Sequence, residues 1–418
     1  MMFQSRRLVI SCVLAALIAG TAIASRESRW LKPVSQISPA PAVEKSRSLS
    51  ANNSGFASGA PGPQEPETAS DKTSRRQFTV YRDESGQIVC REATPAEIRE
   101  RSNIDPEKQG LRQINHFELD KSVGAQAPDA ANLVIVLRAT QQLQQNAAAT
   151  AAFNRAAQNW ENIIMSPITI YLDVDFGATD FGQTWPAGVL GATGSPSGSY
   201  AYQSVRANLI AQANGEGNAT KQGIFNALPS TTVPTDLGDA SGVDVSNSIA
   251  RAIGLLPATA QPSDDAAHIA FNSTFTFDFD PSDGITANAI DFDAVATHEI
   301  GHALGFDSDA GQNAPKPSVW DLYRFRTGAT LSTFPTAQRI LTIGGSPGPL
   351  QFYFVPGNLD LGLSTGGPSG SSGNGGDGWQ SSHWKHVSGC NGAIGIMDPA
   401  IPDGCRRMIT NSDTLALT

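Results

Sequence analysis

Charge is scarce in this chain: only 16% of its 418 residues are Asp, Glu, Lys or Arg, and the formal net charge is −10. No basic run or patch is visible, which argues against nucleic acid as a partner. Internal repeats are missing. Beyond the first two dozen residues no apolar stretch is long enough to cross a bilayer, and the early one, Leu8 to Ala19, is short for a span. Cysteines are few: Cys12, Cys90, Cys390 and Cys405.

What is present begins with an export signal. Arg6 and Arg7 precede the apolar run, and Thr21-Ala22-Ile23-Ala24 offers a small-residue cleavage site, so residues 1–24 read as a signal peptide and the product as secreted or periplasmic. Ser5-Arg6-Arg7 is a weak twin-arginine signature. Export favours oxidation. Cys390 and Cys405, which flank a loop-rich stretch, are therefore the expected disulfide, and Cys90 is left over.

Residues 25–74 are rich in Ser, Ala, Pro and Gly with few large apolar side chains, the composition of a linker. Within 75–130, Thr79 to Arg82 and Gln87 to Cys90 flank a turn and predict a hairpin, and Thr94 to Ser102 predicts a short helix with Pro95 in its first turn. A globular region is expected from about Asn132. Leu133 to Leu137 and Ile168 to Val174 read as strands, and Ala147 to Ile164 as an amphipathic helix between them. That spacing suggests a parallel crossover and an α/β layer. Val243 to Leu256 reads as a helix, His268 to Asn272 and Thr274 to Phe279 as strands, and the Gly/Ser tract Ser364 to Gly378 as an exposed loop.

The most informative stretch is His298-Glu299-Ile300-Gly301-His302-Ala303-Leu304-Gly305. On a helix, residues four apart lie on one face, so His298 and His302 can grip one metal ion as neutral imidazoles. Glu299 projects from the adjacent line, where it can act as the general base toward a water. Asp291 or Asp293 can cap the helix start, Ile290, Ala294, Val295 and Leu304 can form its apolar stripe, and Gly305 can end it. A hydrolytic zinc usually takes three protein ligands. Two downstream candidates can supply the third: Asp321, nineteen residues after His302, as a thermolysin-like zinc hydrolase would place a carboxylate, and His383 in Ser382-His383-Trp384. His116 and His386 read as solvated, His268 as a core or edge residue.

His383 precedes Gly395-Ile396-Met397-Asp398-Pro399, and together with the paired-histidine helix this set resembles the leishmanolysin branch of the metzincin zinc proteases. In the simple metzincin pattern a third His follows six residues after the second; here that position is Ser308, flanked by Asp307 and Asp309, which are off register. The leishmanolysin branch instead carries a long insertion before its third His, which the resemblance places at 306–382, with His383 as the ligand and Met397 in a Met-turn beneath the metal. The resemblance implies a metzincin-like α/β (α+β) fold: a twisted mixed sheet with a backing helix and an active-site helix, then a loop-rich C-terminal subdomain. It divides the chain into a candidate propeptide at 75–130, an N-terminal catalytic subdomain at 131–305 and a C-terminal subdomain at 306–418. It also implies a secreted zinc endopeptidase acting on protein or peptide substrates, with Cys90 as a candidate latency thiol and Ile269 to Ser273 as the edge strand that pairs with substrate. Asp278, Asp280, Asp283, Asp291 and Asp293 crowd before the helix and are candidate calcium ligands, without EF-hand spacing. A rival from another class is an exported binding or adhesion protein with an inactive protease-like core; the intact Glu299 argues against it.

Overall fold

The computed structural model describes residues 74–115, 132–312, 316–326, 328–344, 350–355, 361–367 and 376–417. The expected signal peptide and, save for Ser74, the linker lie outside these residues, as do His116, the end of the candidate propeptide and the middle of the Gly/Ser tract. Among the described residues no helix is long and apolar enough to cross a membrane.

The hairpin forms as its turn residues require. Strands β1 (Ser74–Arg82) and β2 (Ile88–Glu92) run antiparallel around Asp83, whose carboxylate accepts from the backbone of Ser85 and Gln87. Helix α1 (Pro95–Arg101) follows, opened by a capping box between Thr94 and Glu97. A short β3 (Arg112–Gln113) precedes β4 (Val134–Ala139), α2 (Ala147–Glu161) and β5 (Thr169–Gly177). β4 and β5 pair in parallel, as the strand-helix-strand spacing implies. Phe153, Ala157 and Trp160 of α2 are buried on one face, while Ile164 is buried in the loop beyond the helix.

The next elements depart from the expectation. β6 (Val189–Ala201) is a long strand that no pattern in the sequence foretells. Val243 to Leu256 is not one helix: β7 (Gly242–Ser246) comes first, then the short α3 (Asn247–Ala252). Val243 and Val245 alternate with period two, the β pattern, and the Ser246 hydroxyl accepts from the Ile249 amide as an N-cap. β8 (Ala267–Asn272) matches the forecast, but of Thr274 to Phe279 only Phe277–Asp278 pairs, because Asn272 accepts from the Thr274 amide and turns the chain. Helices Tyr202–Glu216 and Ala219–Asn226 follow β6, and the later elements that bear on the site are α4 (Phe292–Leu304), β9 (Ala400–Ile401) and α5 (Asn411–Leu417).

Nine strands make one mixed sheet in the order β9-β2-β1-β6-β8-β5-β4-β3, with β7 also on β6. The class is thus mixed α/β. Two corrections follow from this order. The folded core does not start near Asn132, since β1 is an inner strand paired with β6 from Ser74–Ser197 to Tyr81–Val189. Nor is Ile269 to Ser273 an edge: β8 has β5 on one side and β6 on the other, so its backbone groups are already engaged.

Helix α4 has no solvent face. All 13 of its residues are buried, rather than an apolar stripe alone. Asp291 is the N-cap, accepting from the Ala294 amide, and Asp293 pairs with Arg155 of α2. Trp160 of α2 donates to the Thr297 carbonyl at 2.8 Å. At the start of α4, Phe292 meets the rings of Phe153, Phe176, Phe271, Phe277 and Phe279 with centroids 5.0–5.5 Å apart.

Beyond α4 the chain is mostly loop. Besides β9 and α5, its described residues hold one helical turn (Trp320–Tyr323) and a small sheet of Arg324–Arg326, Gln351–Tyr353 and Leu361–Gly362, packed by Phe306, Trp320, Tyr353 and Trp384. Replacing Phe292 by Ala removes the ring on which five others converge. The expected loss is about 3–5 kcal/mol of stability, read from the denaturant midpoint.

Candidate metal centre

Three imidazoles converge on one point. The Nε2 atoms of His298, His302 and His383 lie 3.1–3.2 Å from each other. Each ring is turned inward by a carbonyl behind it: Nδ1 of His298 donates to Ile396 at 2.9 Å, that of His302 to Phe306 at 2.6 Å and that of His383 to Gln380 at 3.1 Å. A carbonyl oxygen only accepts, so the proton sits on each Nδ1 and each Nε2 presents a lone pair. Burial pushes the His298 pKa down to about 4 and those of His302 and His383 well below the usual histidine range. The rings are neutral at neutral pH. Three acceptor lone pairs thus face one another with no donor among them, which a cation resolves.

The fourth member is Cys90, whose Sγ lies 3.6 Å from Nε2 of His302 on strand β2. The four donor atoms all lie within 4.8 Å of one another, and all four residues are buried. This Cys/His3 group could hold a metal ion. Burial and the neighbouring Glu299 push the Cys90 thiol well up; a coordinated thiol, by contrast, is deprotonated outright.

Glu299 is buried beside the group. Burial raises its pKa to about 7, against hydrogen bonds from the Thr193 hydroxyl and the Cys90 thiol and the charge of Arg101. Thr193 sits on β6, where Gly191 leaves room for close packing: a Cβ there would lie 2.6 Å from the Phe271 ring. Phe78 of β1 stacks on the His302 ring at 3.8 Å and 13°. Met397 is fully buried below the helix, where a Cβ on Gly301 would come 2.5 Å from its sulfur. The Asp413 carboxylate of α5 holds that turn from behind, accepting from the amides of Ile396 and Met397 and from the Trp384 indole. Thr193, Phe78 and Asp413 carry no sequence signal of their own, since only the folded sheet and turn bring them here.

Asp321 is not in the group. Its oxygens accept from the Ser308 hydroxyl at 2.6 Å, the Asp309 amide at 2.7 Å and the Arg324 guanidinium at 3.0 Å, all buried. Ser308, the residue in the simple third-ligand register, instead joins Asp321 to the Ser382 hydroxyl, which accepts its amide at 2.8 Å. Arg324 further donates to Gln351 and to the Ser364 and Ser381 carbonyls. This network sets the loop that carries His383.

Other forecasts resolve as follows. Cys390 and Cys405 are disulfide-bonded, with Cα atoms 5.1 Å apart. His386 is not freely solvated: it packs against Trp379 with ring centroids 4.1 Å apart and a 40° tilt, and its Nδ1 lies 2.8 Å from Asp398. His268 lies on the inner strand β8 against Phe181. Among the described residues Asp278, Asp280, Asp283, Asp291 and Asp293 form no metal-holding group, and four have other partners: Asp278 accepts from Thr286, Asp280 and Asp291 serve as caps, and Asp293 pairs with Arg155.

Substitution of His383 by Ala should strip most of the metal from the purified protein, measured by elemental mass spectrometry. Asp321→Ala should leave the three imidazoles and Cys90 in place but strand the Arg324 charge. The expected cost is about 3–5 kcal/mol of stability, and equal metal loss in both variants would contradict the separation of roles. No family model, curated protein or solved structure matches this chain.

Proposed function

We propose that this chain is an exported zinc endopeptidase, metzincin-like and closest in plan to the leishmanolysin branch, held latent by its own residues 74–92. The observation that carries the reading is the inward-facing imidazole triad with a buried carboxylate one residue after its first member.

The donor set fits zinc. Tetrahedral ligands at zinc's usual bond lengths put neighbouring nitrogens about 3.3–3.4 Å apart and nitrogen and sulfur about 3.5–3.6 Å apart. The Nε2 atoms here are 3.1–3.2 Å apart and Cys90 is 3.6 Å from His302. When bound, zinc polarises a scissile carbonyl and makes a water acidic enough to deprotonate near neutral pH.

The chain's own residues do the rest. Glu299 Oε accepts the water's proton and returns it to the departing amine, a role suited to a carboxylate whose pKa burial holds near 7. Thr193 orients that carboxylate from β6. Met397 and Asp413 fix the floor on which His298 and His383 rest. Extended substrate would add to the edge of β6 by ordinary strand pairing; that edge is taken by β1, while β2 delivers Cys90 to the position that water would need. Latency and catalysis thus compete for the same two features.

A second reading is supported by the depth at which β1 and β2 sit in the sheet: a closed His3Cys zinc site that is purely structural. The Cys90→Ser full-length protein separates the two. Under the endopeptidase reading it keeps its metal and hydrolyses casein at least tenfold faster than wild type. Chelator abolishes that activity, and adding Glu299→Gln lowers it by about 10²–10⁴-fold. Metal loss with no casein hydrolysis would reject the endopeptidase in favour of the structural site.

A further inference from the structure

A small cavity opens beside Glu299 and His298, walled by Val295 of α4 and by Ile396 and Ile401 of the Met397 turn and β9. Apolar walls are ordinary for a side-chain pocket. Its one guanidinium is not. Arg407 lines this cavity and is only 6% exposed. Its Nη2 donates to the Val387 and Gly389 carbonyls at 3.2 and 3.1 Å. Nε and Nη1 have no hydrogen-bond partner.

Asp398 does not answer for them. Its nearest oxygen is 3.5 Å from Nη1, an ion pair without a hydrogen bond. The carboxylate is already served by His386 at 2.8 Å and by the amides of Val387 and Ala400 at 3.0 and 3.1 Å. Buried N–H groups left unpaired are costly and uncommon in folded proteins. The N-terminal segment faces the cavity with Val80, Ile88 and Cys90: the first two side chains offer no acceptor, and the weakly accepting Cys90 sulfur takes no hydrogen bond from Arg407. What now borders the pocket fills space but leaves the two donors unanswered.

We infer that Arg407 is a specificity-determining residue, and that the cavity takes a peptide side chain with an apolar stem and an oxygen at its tip, glutamate or glutamine. The stem lies along Val295, Ile396 and Ile401, and the oxygen accepts from Nε and Nη1. Because the cavity borders Glu299, this side chain flanks the bond to be cut. The inference rests on the endopeptidase reading for its consequence in catalysis, but the binding it predicts can be measured without catalysis.

The test uses full-length Cys90→Ser/Glu299→Gln protein and fluorescent peptides in which each position in turn is Glu, Gln or Leu. Anisotropy should show one position at which Glu and Gln bind at least tenfold more tightly than Leu. Adding Arg407→Met should bring the three within twofold while the Leu peptide keeps its affinity. Arg407→Lys, which keeps a cation beside Asp398 but withdraws the forked donors, should reduce the preference as well, and it separates a lost donor from a damaged fold. Equal binding of the three peptides, a preference that survives Arg407→Met, or no peptide binding at all would overturn the assignment. Selective binding with no cleavage by the Cys90→Ser protein would leave the pocket standing and reject the endopeptidase. Cleavage without selectivity would do the reverse.

Discussion

Three lone pairs aimed at one point constrain everything else in this molecule. Left to themselves, three buried neutral imidazoles would rotate to pair donor with acceptor. Here each is prevented by a carbonyl that accepts a hydrogen bond from its Nδ1–H: Ile396 for His298, Phe306 for His302 and Gln380 for His383. These carbonyls come from three separate stretches of chain, so the fold as a whole holds an arrangement that is repulsive without a cation. Metal binding and folding are therefore linked: an ion that fits the group stabilises the native packing by the free energy of its binding.

The third ring is far from the first two in sequence, and the route by which it returns is physical rather than incidental. Ser308 stands where a direct third ligand would be in the simple pattern, and it has become a junction. Its hydroxyl reaches Asp321 and its amide reaches Ser382, next to His383. Asp321 carries the charge that balances Arg324, and Arg324 in turn gathers Ser364 and Ser381. A buried ion pair of this kind contributes little net stability, but it is stringent about geometry, because either charge alone in that interior is strongly unfavourable. Asp321 thus works as the anchor of the loop that presents His383.

The metal helix was legible because its chemistry is local: spacing four, a following carboxylate, a cap and a terminal glycine are all read along one helix. The β4–α2–β5 crossover was legible for the same reason, each period being carried by a continuous run. Failures came where meaning lay in the partner strand. β6 contains Gly191, Gly194, Gly198 and Pro196, a composition that reads as loop, yet Gly191 admits the Phe271 ring at a distance a Cβ would forbid. Val243 to Leu256 mixes period two with a helical turn, and the change at Ser246 is marked by a single hydroxyl. The hairpin of β1 and β2 was found, but nothing within it says that it belongs between β6 and β9 in the main sheet. Arg407 was invisible for a similar reason, since an orphaned donor exists only relative to the acceptors around it.

Charge balance joins these parts on the proposed reading. A divalent ion with neutral imidazoles leaves two positive charges in a dry interior. Glu299 as carboxylate cancels one and Cys90 as thiolate cancels the other, so the closed site is neutral and needs no help from solvent. Withdrawing β2 removes the thiolate and leaves one uncompensated positive charge facing an opened cleft. That is the condition under which negative charge developing on a carbonyl oxygen is most stabilised. The same withdrawal would free the edge of β6 and uncover the cavity that Arg407 lines, because β1, β2 and Cys90 belong to one hairpin. On that reading a segment that blocked only the backbone edge, or only the ion, would leave the other half of the site exposed.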